Sequence, residues 1–379
     1  MPVFPAFTRA VGVARLDDFV RSSGEIYADR RNTDLGPGAV PTTSTLSPYL
    51  RRRLVLEDEV AAAAIGAHGR EGSEKFVQEV FWRSYFKGHL ETHPTIWTTY
   101  QQQVIDGHAD LAVSSGLRHV YEQAIAGRTN IAGFDDWARE LVEHGWLHNH
   151  ARMWFASIWI FTLRLPWALG AEFFLQHLLD GDPASNTLSW RWVAGLHTRG
   201  KAYLARAENI ARYTKGRFNP TGLNEDPEPL TEDITHPLVP LARVAILPHR
   251  EVALLLHLDD LHPESLDLGS ARVMAIGGLI AHADGASEQV RSADRDAMAD
   301  ALVRAEAHYG CPVVPFADGW AGDLPVVAPW APVGPSAAAL PPCMPVRRAW
   351  DERTWPRTTK GYFALRSAIS QLLDAADIG

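Results

Sequence analysis

GWLHNHARM (Gly145–Met153), LLDGDPASN (Leu178–Asn186) and WRW (Trp190–Trp192), with a Trp-rich apolar run between the first two, form the stretch whose reading decides the fold. It reads as two helices joined by an acidic turn. From Leu147 to Thr162 there is no Gly or Pro, and apolar residues fall on every side, which predicts a largely buried helix. Arg152 stands near its start. A guanidinium cannot shed its proton, so a buried one needs an anionic side chain or a ligand phosphate, and Asp180 and Asp182 are the nearest acids in sequence. Asp182-Pro183 predicts the start of the second helix, because Asp accepts free amide hydrogens as N-cap and Pro is pre-shaped for the first helical position. That start places Asn186 and Trp190 four residues apart on one face.

The chain has 379 residues, enough for two domains with a sizeable core. Its residues are 46% hydrophobic, yet no apolar run is long enough to span a bilayer, and the N-terminal stretch lacks an export signal. A cytoplasmic protein without a membrane partner is expected. Two cysteines, Cys311 and Cys343, cannot supply the four ligands of an iron–sulfur cluster, and no other metal motif stands out. The formal net charge of −9 is unevenly spread. Of 36 basic and 45 acidic residues, 24 of each lie in residues 1–225, which leaves 12 basic against 21 acidic beyond. The first part can therefore present a basic face around a pocket, while the second repels polyanions apart from the cluster Arg347, Arg348, Arg353, Arg357 and Lys360.

Ahead of the deciding stretch, a short helix over Arg15–Val20 leads into YADRRN and a loop rich in Gly, Pro and Thr (residues 32–45). The loop ends in TTSTLSPYL, where Ser47 reads as N-cap and Pro48 as first helical residue. Small hydroxyl residues at such a place suit phosphate, although an ordinary capped helix is the plainer reading of the residues alone. Further helices are predicted over Glu57–Ala67 and Glu74–Leu90; in the second, Phe76, Val80, Phe81 and Tyr85 make a core face, with Glu79 and Trp82 three apart on one side. Residues 218–240 carry five prolines and several acids and read as a linker. Beyond it, EVALLLHL, ARVMAIGGLI and PVVPF look like short strands separated by helices such as Ala293–Tyr309, with a last helix near Tyr362–Leu373. That alternation predicts a small α/β unit with a parallel sheet and no phosphate-cradling glycine motif.

Taken together, GW-x-H-N-x-x-R-M, the D-G-D turn and an Asn followed four residues later by Trp resemble the flavin-binding helical domain of the DNA photolyases and cryptochromes. The resemblance covers roughly the first 225 residues. It implies a mainly α protein: an all-helical FAD-binding domain (1–225), a linker (226–240) and a small α/β domain (241–379), without the α/β antenna domain that usually precedes the flavin domain. It further implies FAD held by Tyr27, Thr43, Ser44, Leu46, Ser47, Arg152, Asp180, Asp182 and Asn186, with Arg152 and Asp180 paired beside the flavin ring and Asn186 at its N5, where an amide can donate or accept a hydrogen bond. Glu79, Trp82, Asn149, Met153 and Trp192 correspond to the residues that contact a flipped-out pyrimidine dimer, and Trp190 and Trp167 to electron carriers.

The function implied is light-driven repair of cyclobutane pyrimidine dimers in DNA, single strands included, in which reduced FAD lends an electron to the lesion. Asn149 and Met153 stand where enzymes for the (6-4) lesion carry two histidines. A cryptochrome-like blue-light photoreceptor is the alternative, and a binding protein that merely keeps the fold is a third reading. Three positions depart from the family pattern. His150 replaces an arginine and would be charged only part of the time near neutral pH; Thr45 replaces another arginine; Ser114 occupies the place of the outer electron-carrying Trp, for which Trp97, Trp137, Trp154 or Trp159 could substitute.

Overall fold

The computed structural model describes residues 4–244, 247 and 250–379. Twelve helices come first: α1 (Arg9–Val20), α2 (Glu25–Arg30), α3 (Ser47–Arg51), α4 (Glu57–Gly72), α5 (Glu74–Thr92), α6 (Thr95–Val113), α7 (Ser115–Ile125), α8 (Phe134–His144), α9 (Asn149–Ser157), α10 (Trp167–His177), α11 (Pro183–Ala194) and α12 (Ala207–Tyr213). The second part holds β1 (Glu251–His257), β2 (Arg272–Leu279), α13 (Glu288–Tyr309), β3 (Val326–Pro329), α14 (Pro335–Ala339), β4 (Met344–Val346), α15 (Ala349–Thr354), α16 (Tyr362–Arg366) and α17 (Ile369–Ala375). The four strands pair in parallel in the order β2-β1-β3-β4. A mainly helical protein with a small α/β unit at its C-terminal side is therefore what the chain forms.

Local chemistry explains the two helices of the deciding stretch. In α11 the Asp182 carboxylate accepts from the Ser185 amide at 2.8 Å, Pro183 takes the first position, and Gly195 closes the end at φ +84°, a backbone state that suits a residue without Cβ. In α9 the continuous apolar surface buries Ala151, Trp154 and Phe155, and the last turn widens into a π-helix over Ile158–Thr162. Residues 218–240 run without regular structure, pinned by the Leu230 amide on Ala194 O and the Val239 amide on Thr92 O.

Several expectations need correction. PVVPF is no strand; Val313 makes only an isolated bridge to Ile276, because the two prolines of that run cannot donate to a ladder. Helix α3 begins at Ser47, with Leu46 as the capping position and no side-chain cap. The last helix is split into α16 and α17 around Ser367 and Ala368. Helix α1 starts at Arg9, six residues earlier than its polar beginning suggests, because Thr8 caps it through the Val11 amide.

The two parts share a core. Val60, Val80 and Phe81 of the helical part pack in one cluster with Val252, Leu254, Ile276, Val327 and Trp350. Three consecutive arginines, immediately after the TTSTLSPYL stretch, run through this junction. Arg51 donates to Gly181 O (2.9 Å), Leu258 O (2.8 Å) and Asp259 (3.3 Å). Arg52 donates to Asp294 (2.8 Å) and Leu179 O (2.6 Å), and Arg53 reaches Asp351 (2.6 Å), Glu57 and Asp260. All three are buried, so the desolvation of each cation is offset by acids supplied mainly from the other part of the chain. Asp259 and Asp260 come just after β1, past Leu258, so these arginines sit at the carboxyl end of the sheet.

Candidate functional site

One cavity of about 190 Å³ gathers much of what the sequence singles out. Its lining includes Tyr27, Thr43, Ser44 and Ser47 from the N-terminal loop and helices, Glu79 from α5, and Asn149, Arg152 and Asp180 from the deciding stretch. Helix α9 places Asn149 and Arg152 three residues apart, hence on one side, and the Gly181 turn brings Asp180 back beneath them. Arg152 Nη2 donates to Asp180 Oδ2 at 2.9 Å, and Arg152 Nε donates to Leu147 O at 3.0 Å, which fixes the head of the guanidinium. The Asp180 carboxylate is only 4% exposed, and its Oδ1 is buried with no hydrogen-bond partner among the described residues. A buried acceptor left in that state is costly, so a donor from a ligand would complete it.

On the opposite wall Arg31 pairs with Glu79. Burial raises the Glu79 carboxyl and, with the nearby Glu79 charge, raises the Tyr27 phenol; Tyr27 therefore stays neutral and serves as a hydrogen-bonding phenol. Burial lowers His150 to about 4, and His148 beside it adds to the effect. The partial charge expected at His150 near neutral pH is thus absent: the ring packs against Trp154 and Tyr213 and is held uncharged.

Arg31, Asn32, Thr45, Trp146 and Leu147 also line the cavity, and the sequence pattern assigns none of them to it. Tyr27 and Arg31 are four residues apart and so share a side, a signal that could have drawn Arg31 in beside Tyr27. Trp146 lies inside the quoted GWLHNHARM run.

Other predicted residues stand off the cavity lining. Leu46 is fully buried. Asp182 caps α11 and meets Lys87 Nζ at 2.8 Å; burial alone would raise its carboxyl, but Lys87, Arg83 and Arg51 overcome that and hold it well below the usual range. Asn186 is buried and donates to Ala171 O at 2.8 Å. Met153 Sδ accepts from Asn149 Nδ2 at 3.8 Å. Trp192 stacks on Tyr203, and Trp82 lies flat against Tyr362 of α16, with ring centroids 3.4 Å apart and planes 10° from parallel.

Trp190 sits in a box of Phe174, Phe155 and Trp159. A side chain at Gly170 would collide with Trp190, its Cβ falling 2.3 Å from the indole, so this glycine is what lets the ring seat there. Two aromatic rows lead outward. Trp190 meets Trp159, which meets Tyr121 at 5.9 Å, and Trp167 meets Tyr100, which meets Trp97 at 5.1 Å. Ser114 is the N-cap of α7, and Trp137 and Trp154 stack on each other.

Residues 76–227 match the family model described as the FAD binding domain of DNA photolyase. This segment is similar to that family's FAD binding domain. Deoxyribodipyrimidine photo-lyases share the sequence: that of Streptomyces griseus is 35% identical over 41% of this chain and 33% of its own length, that of Thermus thermophilus 32% over 50% and 43%, and that of Vibrio cholerae 27% over 55% and 44%. The chain thus spans less than half the length of these relatives. Among solved structures, a class III photolyase from Agrobacterium tumefaciens aligns with a TM-score of 0.46 and 24% identity, over 57% of this chain and 46% of its own. The matched model is an FAD binding domain, and the cavity fits such a group: hydroxyls at Thr43, Ser44 and Ser47 for phosphate oxygens, a fixed guanidinium at Arg152, and an unsatisfied acceptor at Asp180.

Proposed function

We propose that this protein carries out light-driven repair of cyclobutane pyrimidine dimers, with a damaged dinucleotide as its recognition element. The observation that supports it best is the single cavity shared by the phosphate-suited hydroxyls, the Arg152–Asp180 pair, and Glu79 and Asn149. When bound and reduced, FAD would supply the photochemistry, a light-driven loan of one electron to the dimer that opens its two inter-base bonds.

Residues of this chain bind, orient and exclude water. Thr43, Ser44 and Ser47 would hold phosphate oxygens, and the Arg152–Asp180 pair would hold the flavin ring. Glu79, held by its pair with Arg31, and Asn149 offer polar contacts to the exposed edges of two extruded bases. Trp190, through its aromatic neighbours, would pass electrons from an external reductant inward when the flavin is oxidised.

Because the helical part has equal numbers of acids and bases and a neutral His150, edge contacts within the cavity carry more of the affinity for the lesion itself than phosphate contacts there do. A dimer in a single strand, the cheaper one to extrude, is therefore preferred over one in duplex. The test is an illuminated repair assay on thymine-dimer oligonucleotides in single- and double-stranded form. Restored thymine absorbance, faster with the single strand, is expected; no restoration with the flavin reduced would defeat the proposal.

One observation favours a second reading, a blue-light photoreceptor without repair. Tyr362 covers the face of Trp82 that would otherwise meet a base. Light-dependent flavin reduction without any repair would select that reading.

A further inference from the structure

The C-terminal part has 21 acidic residues against 12 basic ones, yet residues 353–366 contain four cations and no acid. The fold divides the five-member basic cluster of this region in two. Arg347 and Arg348 are taken into the interior, Arg348 on Asp260 and Arg347 over the Trp330 ring at 3.9 Å. Arg353, Arg357 and Lys360 stay exposed, and Arg366 follows on the same run, facing Glu74 only at 3.7 Å across an exposed surface. Between Lys360 and Arg366 in the run, Phe363 is 78% exposed. A large apolar ring left in water among cations is unusual for a surface with no partner.

This run is seated firmly along α5 and comes near the cavity-lining Glu79 at Tyr362. Trp355 and Thr358 press on α5 at Gly88, where a Cβ would fall 2.7 Å from the Thr358 hydroxyl and 2.8 Å from the Trp355 ring. Tyr362, next to Phe363, stacks on Trp82 and donates its hydroxyl to Gln78 O at 2.9 Å, one residue from the cavity-lining Glu79. Residues 353–366 lie outside the segment that matches the photolyase family model.

We propose that the surface of Arg353, Arg357, Lys360, Phe363 and Arg366 binds the single nucleic-acid strand flanking the lesion. The four cations neutralise phosphates, and Phe363 offers a stacking face to one unpaired base. Paired bases hide their faces, so an exposed aromatic ring among cations fits a single strand better than a duplex. The inference rests on the repair reading of the cavity, and it locates the charge that the helical part lacks.

The test uses the full-length flavin-loaded protein and two variants, Phe363→Ser and the triple Arg353→Gln/Arg357→Gln/Lys360→Gln. Binding of a labelled, undamaged thymidine 16-mer is followed by anisotropy over a range of salt, and repair of an isolated thymine-dimer dinucleotide, too short to reach the run, serves as the basal activity. The triple variant is expected to flatten the slope of log affinity against log salt by about 2, at ~0.7 per phosphate contact in single strands. Phe363→Ser is expected to weaken binding by about tenfold at unchanged slope, in the range of one lost stacking contact. Both should keep the flavin absorption and repair the dinucleotide at the parental rate. Parental slope and affinity in both variants, with dinucleotide repair intact, would overturn this surface and leave the cavity reading standing. Strand binding lost in the variants as expected, with no repair by the parent, would overturn the cavity reading instead. Concentration-dependent self-association abolished by Phe363→Ser, without strand binding by the parent, would overturn the proposal in favour of a protein interface.

Discussion

Replacing Asp260 by Asn tests whether the junction between the helical part and the sheet holds the flavin site together. Asp260 is 1% exposed; its carboxylate accepts from Arg348 Nε at 2.5 Å, Arg348 Nη2 at 2.7 Å and Arg53 Nη1 at 3.4 Å. Asn keeps the shape and removes the charge. Arg53 retains Asp351 and Glu57, whereas Arg348 keeps only neutral partners, Ser265 and the carbonyl of His262. One buried cation is thus left without an anion, and breaking a buried pair in this way costs ~3–5 kcal/mol. Burial opposes the Asp260 charge, but Arg348 and Arg53 more than offset it and depress the pKa. The contribution is therefore present above the ordinary carboxylate range near ~4 and is lost as pH falls through the lower folded value, so parent and variant should converge in acid. Urea unfolding at pH 7, followed by flavin release and by far-ultraviolet circular dichroism, measures both effects. A single shared transition moved to lower urea is expected. Two separated transitions, with flavin release unaffected by the substitution, would refute the coupling and make the linker at residues 226–240 a true boundary between independent domains.

Arg152→Ala should yield protein largely free of flavin, because Asp180 would keep a buried charge with neither its partner nor a filled Oδ1; an unchanged flavin absorbance per chain would refute this. Trp190→Phe should slow photoreduction of oxidised FAD at least tenfold while repair by chemically reduced protein stays near parental, and equal photoreduction rates would send the electron path elsewhere. Glu140 is buried, and burial followed by the Asp34 charge raises its carboxyl to about 8. The stability it contributes is full below the ordinary carboxylate range and gone once pH passes about 8, so Glu140→Gln should raise the melting temperature at pH 9 and leave it little changed at pH 4. The α/β part should carry no second chromophore, and an absorption band that survives in protein stripped of FAD would contradict that.

How much is legible in the sequence follows from how local each signal is. The Asp182 cap and the Pro183 start are readable, since each joins residues close along the chain and rests on one rule of helix ends. So are the two parts of the fold, from hydrophobic period and a run of prolines. For Arg152 the buried-charge rule leaves Asp180 and Asp182 both open, and only the resemblance picks Asp180. Arg31 facing Glu79, and Tyr362 lying on Trp82, are not readable, because nothing in either local pattern announces a partner 48 or 280 residues away. The charge of His150 is misjudged from sequence for a related reason: its ordinary pKa belongs to water, and the burial that keeps it neutral comes from helices packed around it.

Arg51–Arg53 give the clearest case, and they also explain why the α/β part is expected to be empty. In an open parallel sheet a ligand enters at the carboxyl ends of the strands, where the order turns back on itself. With the order β2-β1-β3-β4 that point lies between β1 and β3, beside His257, Asp259, Asp260 and Pro329. His257 Nε2 already bonds to Pro329 O at 2.9 Å across it. Arg51 occupies Leu258 O and Asp259, Arg53 takes Asp260, and Lys87 from α5 stands 3.7 Å from Asp259. The acids that disfavour an anionic ligand in this part of the chain are the same ones that bind the arginines behind the flavin loop. An acidic crevice of this kind, read from sequence alone, counts as repulsion toward ligands; in the folded chain it is filled by the helical part, and its charge is what joins the two.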